Sequence, residues 1–432
     1  MIRARLRLVA LSMAVLAVIA PTSDLAAQDR EGDAPLILAV EAGRFDRRGT
    51  PIRLEIPEAR LAPAVRDGLA RGPVAVSVAP VDRGEGEGAT AQVERVEGGK
   101  ARLTWILKSP VAAGRLARFA VGPGPMAAPD PWAFSEPKPG TLDLKLRARP
   151  VFRYNGSPVA SPDYGPIQVR DAYLHPAYSP SGALITGDFS RSHPHHRGFF
   201  LAYVHTEAGG STPDFWNIHL GTGKIVADGL AGGPTASAVT ARFSAKHRWE
   251  ARDRTTNEGR VVLRETWDVE AYDIPGAPYI LFDLTSTQQA VGRPLNVLPY
   301  RYGGMAYRGP EPFVKGTLDV LTSEGLHRRD GDGKAARWVD LTGPVADGSS
   351  TYAGAMIADH PGNPGSPTKV RIHPILLPFF SYVPARDRAL TIPVEAPVVF
   401  RYRILLHDGH PDPVVDERLA RDFSEPPAVR AE

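Results

Sequence analysis

The 432-residue chain has no cysteine, which removes disulfides, thiolate nucleophiles and structural zinc–thiolate sites from consideration at once. A chain of this length buries enough core to dispense with disulfides. It also lacks the lipobox cysteine of a lipid-anchored exported protein. Charge of one sign is not in excess: 51 basic and 48 acidic residues leave a formal net charge of +3. With no basic stripe, nucleic acid is not an expected partner. No G-x-S-x-G elbow, P-loop or H-E-x-x-H is present, nor a dinucleotide fingerprint between a strand and a helix, so serine hydrolase, kinase, zincin and NAD enzyme have no support. Long apolar runs are missing except near the start. There Arg3, Arg5 and Arg7 precede LVALSMAVLAVIA and then DLAAQ, the order of a secretory signal, expected to occupy residues 1–27 with cleavage after Ala27. The apolar run is shorter than the roughly 20 residues of a spanning helix. The expectation is a periplasmic or secreted protein with no integral membrane span.

What the chain has in quantity is turn residues. Its 42 Gly and 42 Pro punctuate short apolar or alternating runs, a pattern of many strands and few helices. The expected fold class is all-β. Between residues 28 and 122, runs such as LILAVEAG, PVAVSVAPV and KARLTWILK predict a small N-terminal β-sandwich. Within it, EARLAPAVRDGLA reads as a short helix or an extended loop. GPGPMAAPDPWAFSEPKPG carries too much Pro and Gly for regular structure, so residues 123–140 read as an interdomain linker. From 141 to 432, longer runs, among them VTARFSAKHRWEA, RVVLRETWDVEAY and PVVFRYRILLHDG, predict one large two-sheet antiparallel sandwich.

The densest gathering of reactive side chains is Asp188 to Trp216, DFSRSHPHHRGFFLAYVHTEAGGSTPDFW. HPHHRG runs directly into the apolar strand FFLAYV, which would hold site residues on a rigid element. In an extended segment His193 and His195 share a face while His196 points away. Such a pair can move protons or bind sugar hydroxyls, with Arg197 pairing a carboxylate. The competing reading has the histidines capping the strand end through backbone hydrogen bonds. A further alternative makes His193 and His195 ligands of a divalent metal, with His175, Glu265 or His360 as distant partners. In DFW, Asp214 and Trp216 suit a sugar site, carboxylate to hydroxyl and indole to pyranose face, and they suit a sandwich core equally.

In RETWDVE, Glu265 shares a strand face with Trp267 and Val269. A carboxylate held there is expected to have a raised pKa suited to a general acid or base, the alternative being a buried ion pair with Arg301 or Arg308. RYGGMAYR places those two arginines around glycines, as anion or hydroxyl recognition or a β-bulge requires. In ADHPGNP, turn chemistry accounts for Pro, Gly and Asn363 but does not call for His360. The candidate catalytic groups are therefore His193, His195, Glu265 and His360. The candidate substrate contacts are His196, Arg197, Asp214, Trp216, Arg301, Arg308 and Asn363.

Taken together, SHPHHRGFFLAYV, DFW, RETWDVE, RYGGMAYR, ARWVDLTG, DHPGNPGSPT and RYRILLHDG resemble the bacterial family known as methane oxygenase PmoA-like, a domain of unknown function, over about residues 142–410. The resemblance implies a galactose mutarotase-like supersandwich and an exported protein associated with carbohydrate-degrading and sugar-oxidoreductase systems. It does not imply a true methane monooxygenase, which is a membrane complex. Two segments depart from the family pattern. TEAGGSTP stands where a tighter Asn-Gly turn often precedes DFW, and the KVRIHP run replaces the aromatic often found after DHPxNP. The expected function is acid–base chemistry at a sugar ring, either epimerisation at the anomeric centre or glycosidic cleavage, without an organic cofactor. The alternatives are a non-catalytic glycan-binding module and a histidine-ligated metal enzyme.

Overall fold

In strand Gly259–Tyr272, Leu263, Glu265, Trp267, Val269 and Ala271 are buried while Arg264 and Asp268 face out, the two-residue period of a sheet with one covered face. This strand belongs to a nine-stranded antiparallel sheet. Its order is Gly223–Leu230, Thr240–Arg252, Gly259–Tyr272, Tyr279–Ala290, Val398–Asp408, Tyr352–Asp359, Trp338–Pro344 and Asp319–Thr322, with Thr235–Ala236 paired to Thr240–Arg252. An eight-stranded sheet faces it, in the order Val370–Ile372, Phe379–Tyr382, Gly304–Arg308, Phe199–Ala202, Tyr173–Ala177, Arg149–Asn155, Thr141–Leu146 and Trp132–Lys138. The inner faces meet in one core. Phe152 of one sheet packs on Phe243 and Phe282 of the other, with ring centroids 6.4 and 5.0 Å apart. The computed structural model describes residues 35–81, 87–124, 131–315, 317–375 and 377–432. It is an all-β fold built on a large antiparallel sandwich, as expected. The expected signal, residues 1–27, lies outside the described residues.

The N-terminal strands form a single seven-stranded antiparallel sheet with its own core around Leu38, Val78, Leu103 and Trp105. One of its edges is the C-terminal strand Ala428–Ala431, paired with Ile37–Glu41. The segment read as helix or loop contains the short helix Pro63–Gly68. Two expectations need correcting: the N-terminal strands make one continuous sheet, completed by a strand from residues 428–431, in place of a two-sheet sandwich, and the expected linker is in part a strand. Trp132–Lys138, inside the stretch assigned to a linker, is a strand whose Trp132 is 3 % exposed and opposite Leu146. Its Pro137 falls where the register shifts between Ser135 and Lys138, on an edge strand whose outer N–H groups have no ladder partner to lose.

A helix not anticipated from the sequence, Pro413–Ser424, covers the outer face of the nine-stranded sheet, packing Leu419 and Ala420 against Trp338, Met356 and Leu405. Asp412 caps it, accepting from the N–H groups of Val414 and Val415 at 3.0 and 3.2 Å, with Pro413 in the first turn. The helix is tied to the N-terminal sheet by the buried pair Arg47–Asp422 at 2.8 Å, and Thr50 Oγ1 donates to the same carboxylate at 2.7 Å.

Asp416, in the first turn of that helix and 1 % exposed, lies against the fully buried Asp340, which is 2.9 Å from His407 Nε2. Burial, then the Asp340 charge, pushes the Asp416 carboxyl from an ordinary 3.8 up to about 9. Burial alone would lower His407, but Asp340 outweighs it and the imidazole is raised. Both groups bind more protons folded than unfolded, so stability falls as pH rises, for Asp416 across the window from 3.8 to about 9. Asp416→Asn fixes the neutral form and is expected to flatten this fall and raise Tm at the alkaline end. Calorimetry as a function of pH checks it, and an unchanged slope refutes the raised Asp416 carboxyl.

Candidate functional site

HPHH is a turn, not the extended run expected. The His196 N–H donates to the His193 carbonyl at 3.0 Å, with Pro194 second in the turn, where its fixed φ belongs. His196 therefore does not face away. All three imidazoles converge, with ring centroids 5.7 Å apart for His193 and His195, 5.0 Å for His193 and His196, and 4.7 Å for His195 and His196.

The turn is clamped by Arg170, which the sequence reading did not single out. This buried guanidinium donates to Asp188, to the Pro194 carbonyl and to the His196 carbonyl, the last at 3.2 Å, and lies 3.6 Å over the Phe189 ring. Asp188 also accepts from Tyr173 Oη at 2.7 Å. Gly198 lets the chain pass into Phe199–Ala202: a Cβ there would sit 2.0 Å from the Leu174 carbonyl oxygen.

Two more histidines join the cluster. His219, on the single-turn 3-10 helix Ile218–Leu220, has its ring 5.4 Å from His195. His373, just beyond Val370–Ile372, lies 6.2 Å from His193. Arg308, ending strand Gly304–Arg308 and 1 % exposed, donates from Nε to Gly309 O at 3.1 Å and from Nη2 to Glu311 at 3.2 Å.

Burial, then the positive charge of Arg308, lowers the pKa of His193. Burial, then His193 and His219, brings His195 down to about 3. Burial and His195 hold His196 well below its ordinary value, and burial with Arg371 puts His373 at about 4. At neutral pH these four are uncharged imidazoles, able to accept protons. Burial lowers Arg197 and Arg308 to about 10, which leaves both charged.

Other candidates belong to the frame of the site. Asp214 accepts from the N–H groups of Trp216 and Asn217 at 2.9 and 2.7 Å, and from Asn217 Nδ2 at 2.8 Å, fixing the turn that presents His219. Trp216, 1 % exposed, is the floor of the cluster, packed on Phe200, Tyr302 and His196 at 4.7, 5.4 and 5.6 Å. It has no face open to a pyranose. Arg197 is buried against the rings of Tyr173 and Phe200.

Four candidates are not brought to the cluster. Glu265 sits in the sandwich core, where it receives Trp249 Nε1 at 3.0 Å, Trp267 Nε1 at 2.8 Å, Ser286 Oγ at 2.5 Å and Gln288 Nε2 at 3.1 Å, with His247 Nδ1 at 3.1 Å. Its expected raised pKa is overturned: burial pushes the carboxyl up, but the His247 bond and charge, with Ser286 and Trp249, outweigh burial and hold it below its ordinary value. Its partner is His247, not Arg301 or Arg308. His360 caps its own turn, Nδ1 accepting from Gly362 N–H at 3.0 Å, with its ring 5.0 Å from Phe423. Asn363 bonds Asp359 and the Arg401 backbone. Arg301 is exposed beside Tyr302.

Among the described residues no three His, Asp or Glu side chains gather so as to hold a metal ion. Of the distant ligands considered, Glu265 is engaged in the core, His360 packs on Phe423, and His175 Nδ1 lies 2.9 Å from Thr186 Oγ1. A cavity of about 510 Å³ lies on the outer face of the nine-stranded sheet, lined by residues including Arg53, Arg242 and Glu270. Arg53 pairs there with Glu270 and Arg242 with Glu94, and among the described residues no histidine lines it, so the histidine cluster is the stronger candidate site.

Fold and site define an all-β sandwich protein carrying a histidine–arginine cluster at one end of its eight-stranded sheet. The chain belongs to DUF6807, a family of unknown function, whose profile matches residues 141–421. Among solved structures the chain is similar to an alpha-mannosidase from Enterococcus faecalis V583, with TM-score 0.39 and 11 % identity over 92 % of this chain and 46 % of that one. It is also similar to a protein in glycosyl hydrolase family 38 from Enterococcus faecalis, with TM-score 0.36 and 10 % identity over 92 % and 47 %. The chain spans about half the length of each. No curated protein sequence matches it.

Glu265→Gln, which leaves buried donors around the carboxylate without an acceptor, is expected to destabilise the fold by roughly 1–3 kcal/mol. His195→Asn, at a half-buried ring with no hydrogen bond among the described residues, should stay within roughly 1 kcal/mol of the parent. Urea unfolding checks both, and equal losses would refute the division into a structural Glu265 and a functional cluster.

Proposed function

We propose that the chain is an exported protein acting on a carbohydrate by proton transfer at a sugar ring, with His195 as base. The observation that carries this reading is the convergence of uncharged imidazoles beside guanidiniums that stay charged. An uncharged imidazole accepts a proton from a C–H or O–H, and a nearby guanidinium stabilises the oxyanion that results. The PmoA-like motif pattern, which implies a carbohydrate setting, supports the substrate class.

Of the two reactions considered, epimerisation fits better than glycosidic cleavage. Cleavage ordinarily uses two carboxylates about 5–10 Å apart across the bond, whereas Asp214 and Glu265 are committed to a turn and to the core. A non-catalytic glycan-binding role is less well supported, because such binding leans on an open aromatic platform and the Trp216 ring is covered. For export, the chain isolated from its native host should begin at Gln28, as N-terminal sequencing would show.

Incubation of aldohexoses and hexuronates in D₂O, read by NMR, detects exchange at ring carbons, and polarimetry detects anomeric interconversion. His195→Asn is expected to lower kcat by roughly 10²–10⁴-fold. Loss of His195 as base should place the acid limb of kcat/KM for the free protein near its value of about 3, not at neutral pH. Unchanged turnover in His195→Asn overturns the proposal. Activity abolished by a strong chelator and restored by a divalent cation would return His193 and His195 to the role of ligands.

A further inference from the structure

We infer that the ligand of the histidine cluster carries a carboxylate, so that the substrate class is a sugar acid and not a neutral sugar. This rests on the reading of the cluster as a sugar site and deepens it. From the cluster's own turn comes Arg197, buried, with Nε unpartnered and no ion pair or hydrogen bond from its side chain among the described residues, the charges of Asp171 and Asp188 acting on it from beyond ion-pair distance. From the strand Gly304–Arg308 comes Arg308, whose Nη1 is likewise buried and unpartnered and whose one carboxylate partner, Glu311, is 55 % exposed. Among the described residues Arg328 donates to the carbonyls of His373 and Leu377, at 2.8 and 3.1 Å, and has no carboxylate partner. Arg170 and Arg371 also face the cluster, but Asp188 and Asp332 neutralise them.

The charges that act most on His193, His195, His196 and His373 are those of Arg308, Arg170, Arg197, Arg371 and Arg328 together with the neighbouring imidazoles, and all of them lower the ring pKa values. Two imidazole nitrogens, Nδ1 of His193 and Nδ1 of His196, are also buried without a partner among the described residues. A buried cation without a counter-ion is costly, and a polar atom left unpaired adds to that cost. A bound carboxylate removes the imbalance, because a guanidinium fork matches its two oxygens. A neutral hydroxyl does not.

The chemistry then follows. In a uronate the ring carbon next to the carboxylate carries an acidified C–H. His195 takes that proton, the C–H electron pair passes into the carboxylate as an enediolate held by Arg308, a water molecule delivers a proton to the opposite face, and the hydroxide so formed takes the proton back from His195, which completes epimerisation without any redox partner. The same anion offsets Arg308 and raises the pKa of His193, so binding takes up protons there and tightens as pH falls, while His195, held down at about 3, stays free as the base.

The test is isothermal titration of the whole protein with galacturonate, methyl galactoside and inorganic phosphate at pH 5.5 and pH 8. Galacturonate is expected to bind about tenfold or more tightly than methyl galactoside, with proton uptake seen as a buffer-dependent heat. Glu311→Gln, at an exposed position that does not endanger folding, is expected to tighten galacturonate binding by a few fold. Arg308→Gln should weaken it and Arg308→Lys should partly restore it. Methyl galactoside binding as tightly as galacturonate, or no response to Glu311→Gln and Arg308→Lys, overturns the inference while leaving a sugar site. Phosphate binding as tightly as galacturonate overturns the sugar acid in favour of a plain anion site. Binding of none of the three overturns both readings.

Discussion

The guanidinium of Arg170, shared between Asp188 and the carbonyls of Pro194 and His196, is what makes a run of histidines into a cluster. A tight turn at the edge of a core leaves carbonyls that need donors, and water reaches them poorly. Arg170 supplies those donors from a fixed fork, while Asp188 and the Phe189 ring stabilise its charge. One group thus sets both the shape of the turn and the balance of charge beneath it. Tyr173, by donating to Asp188, ties the same arrangement to the neighbouring strand.

The buried polar systems around Glu265 and around His196 differ in how completely they are satisfied. Around Glu265 both carboxylate oxygens have donors, His247 Nε2 lies 3.0 Å from Tyr154 Oη, and Gln288 Oε1 accepts from Tyr203 Oη at 2.9 Å. Such a network fixes the packing of the two sheets and has no unmet demand for a ligand. Around His196 the reverse holds, with nitrogens of His193, His196, Arg197 and Arg308 buried and without a partner among the described residues. A native fold keeps few such groups, and where several gather they mark a place specified by something other than stability.

Much of this was legible in the sequence, for reasons specific to each element. The alternation in RETWDVE placed Glu265 on the inward face, because strand periodicity is a local property. The direction of its pKa was not local: it depends on His247 and Ser286, which lie on other strands of the sheet. HPHHRG announced the site by composition, yet the turn geometry needed Arg170, some twenty residues earlier. His373 and His219 are single histidines in unremarkable contexts, and only the pairing of distant strands brings them in. The helix Pro413–Ser424 was readable after all: Asp412 followed by Pro413 is an N-cap signal, with Val415, Leu419 and Phe423 at helical spacing on the covered side. Pro137 misled in the opposite direction, because a proline on an edge strand has no ladder bond to lose.

The difference between the two sheets explains why the site lies where it does. The central strands of the nine-stranded sheet run 13, 14, 12 and 11 residues and form an unbroken wall. On the other side, Tyr173–Ala177, Phe199–Ala202, Gly304–Arg308, Val370–Ile372 and Phe379–Tyr382 run only three to five residues. Short strands bring chain exits close together, and register lines those exits up. Phe199 stands opposite Tyr307, Arg308 opposite Phe379, and Ile372 opposite Phe380. The residues just past these pairs, Gly198 with the histidine turn behind it, Arg308 itself, and His373, therefore emerge at one end of the sheet. The long-stranded sheet supplies rigidity and the short-stranded sheet supplies convergence, which is the division of labour a site on loops requires of its scaffold.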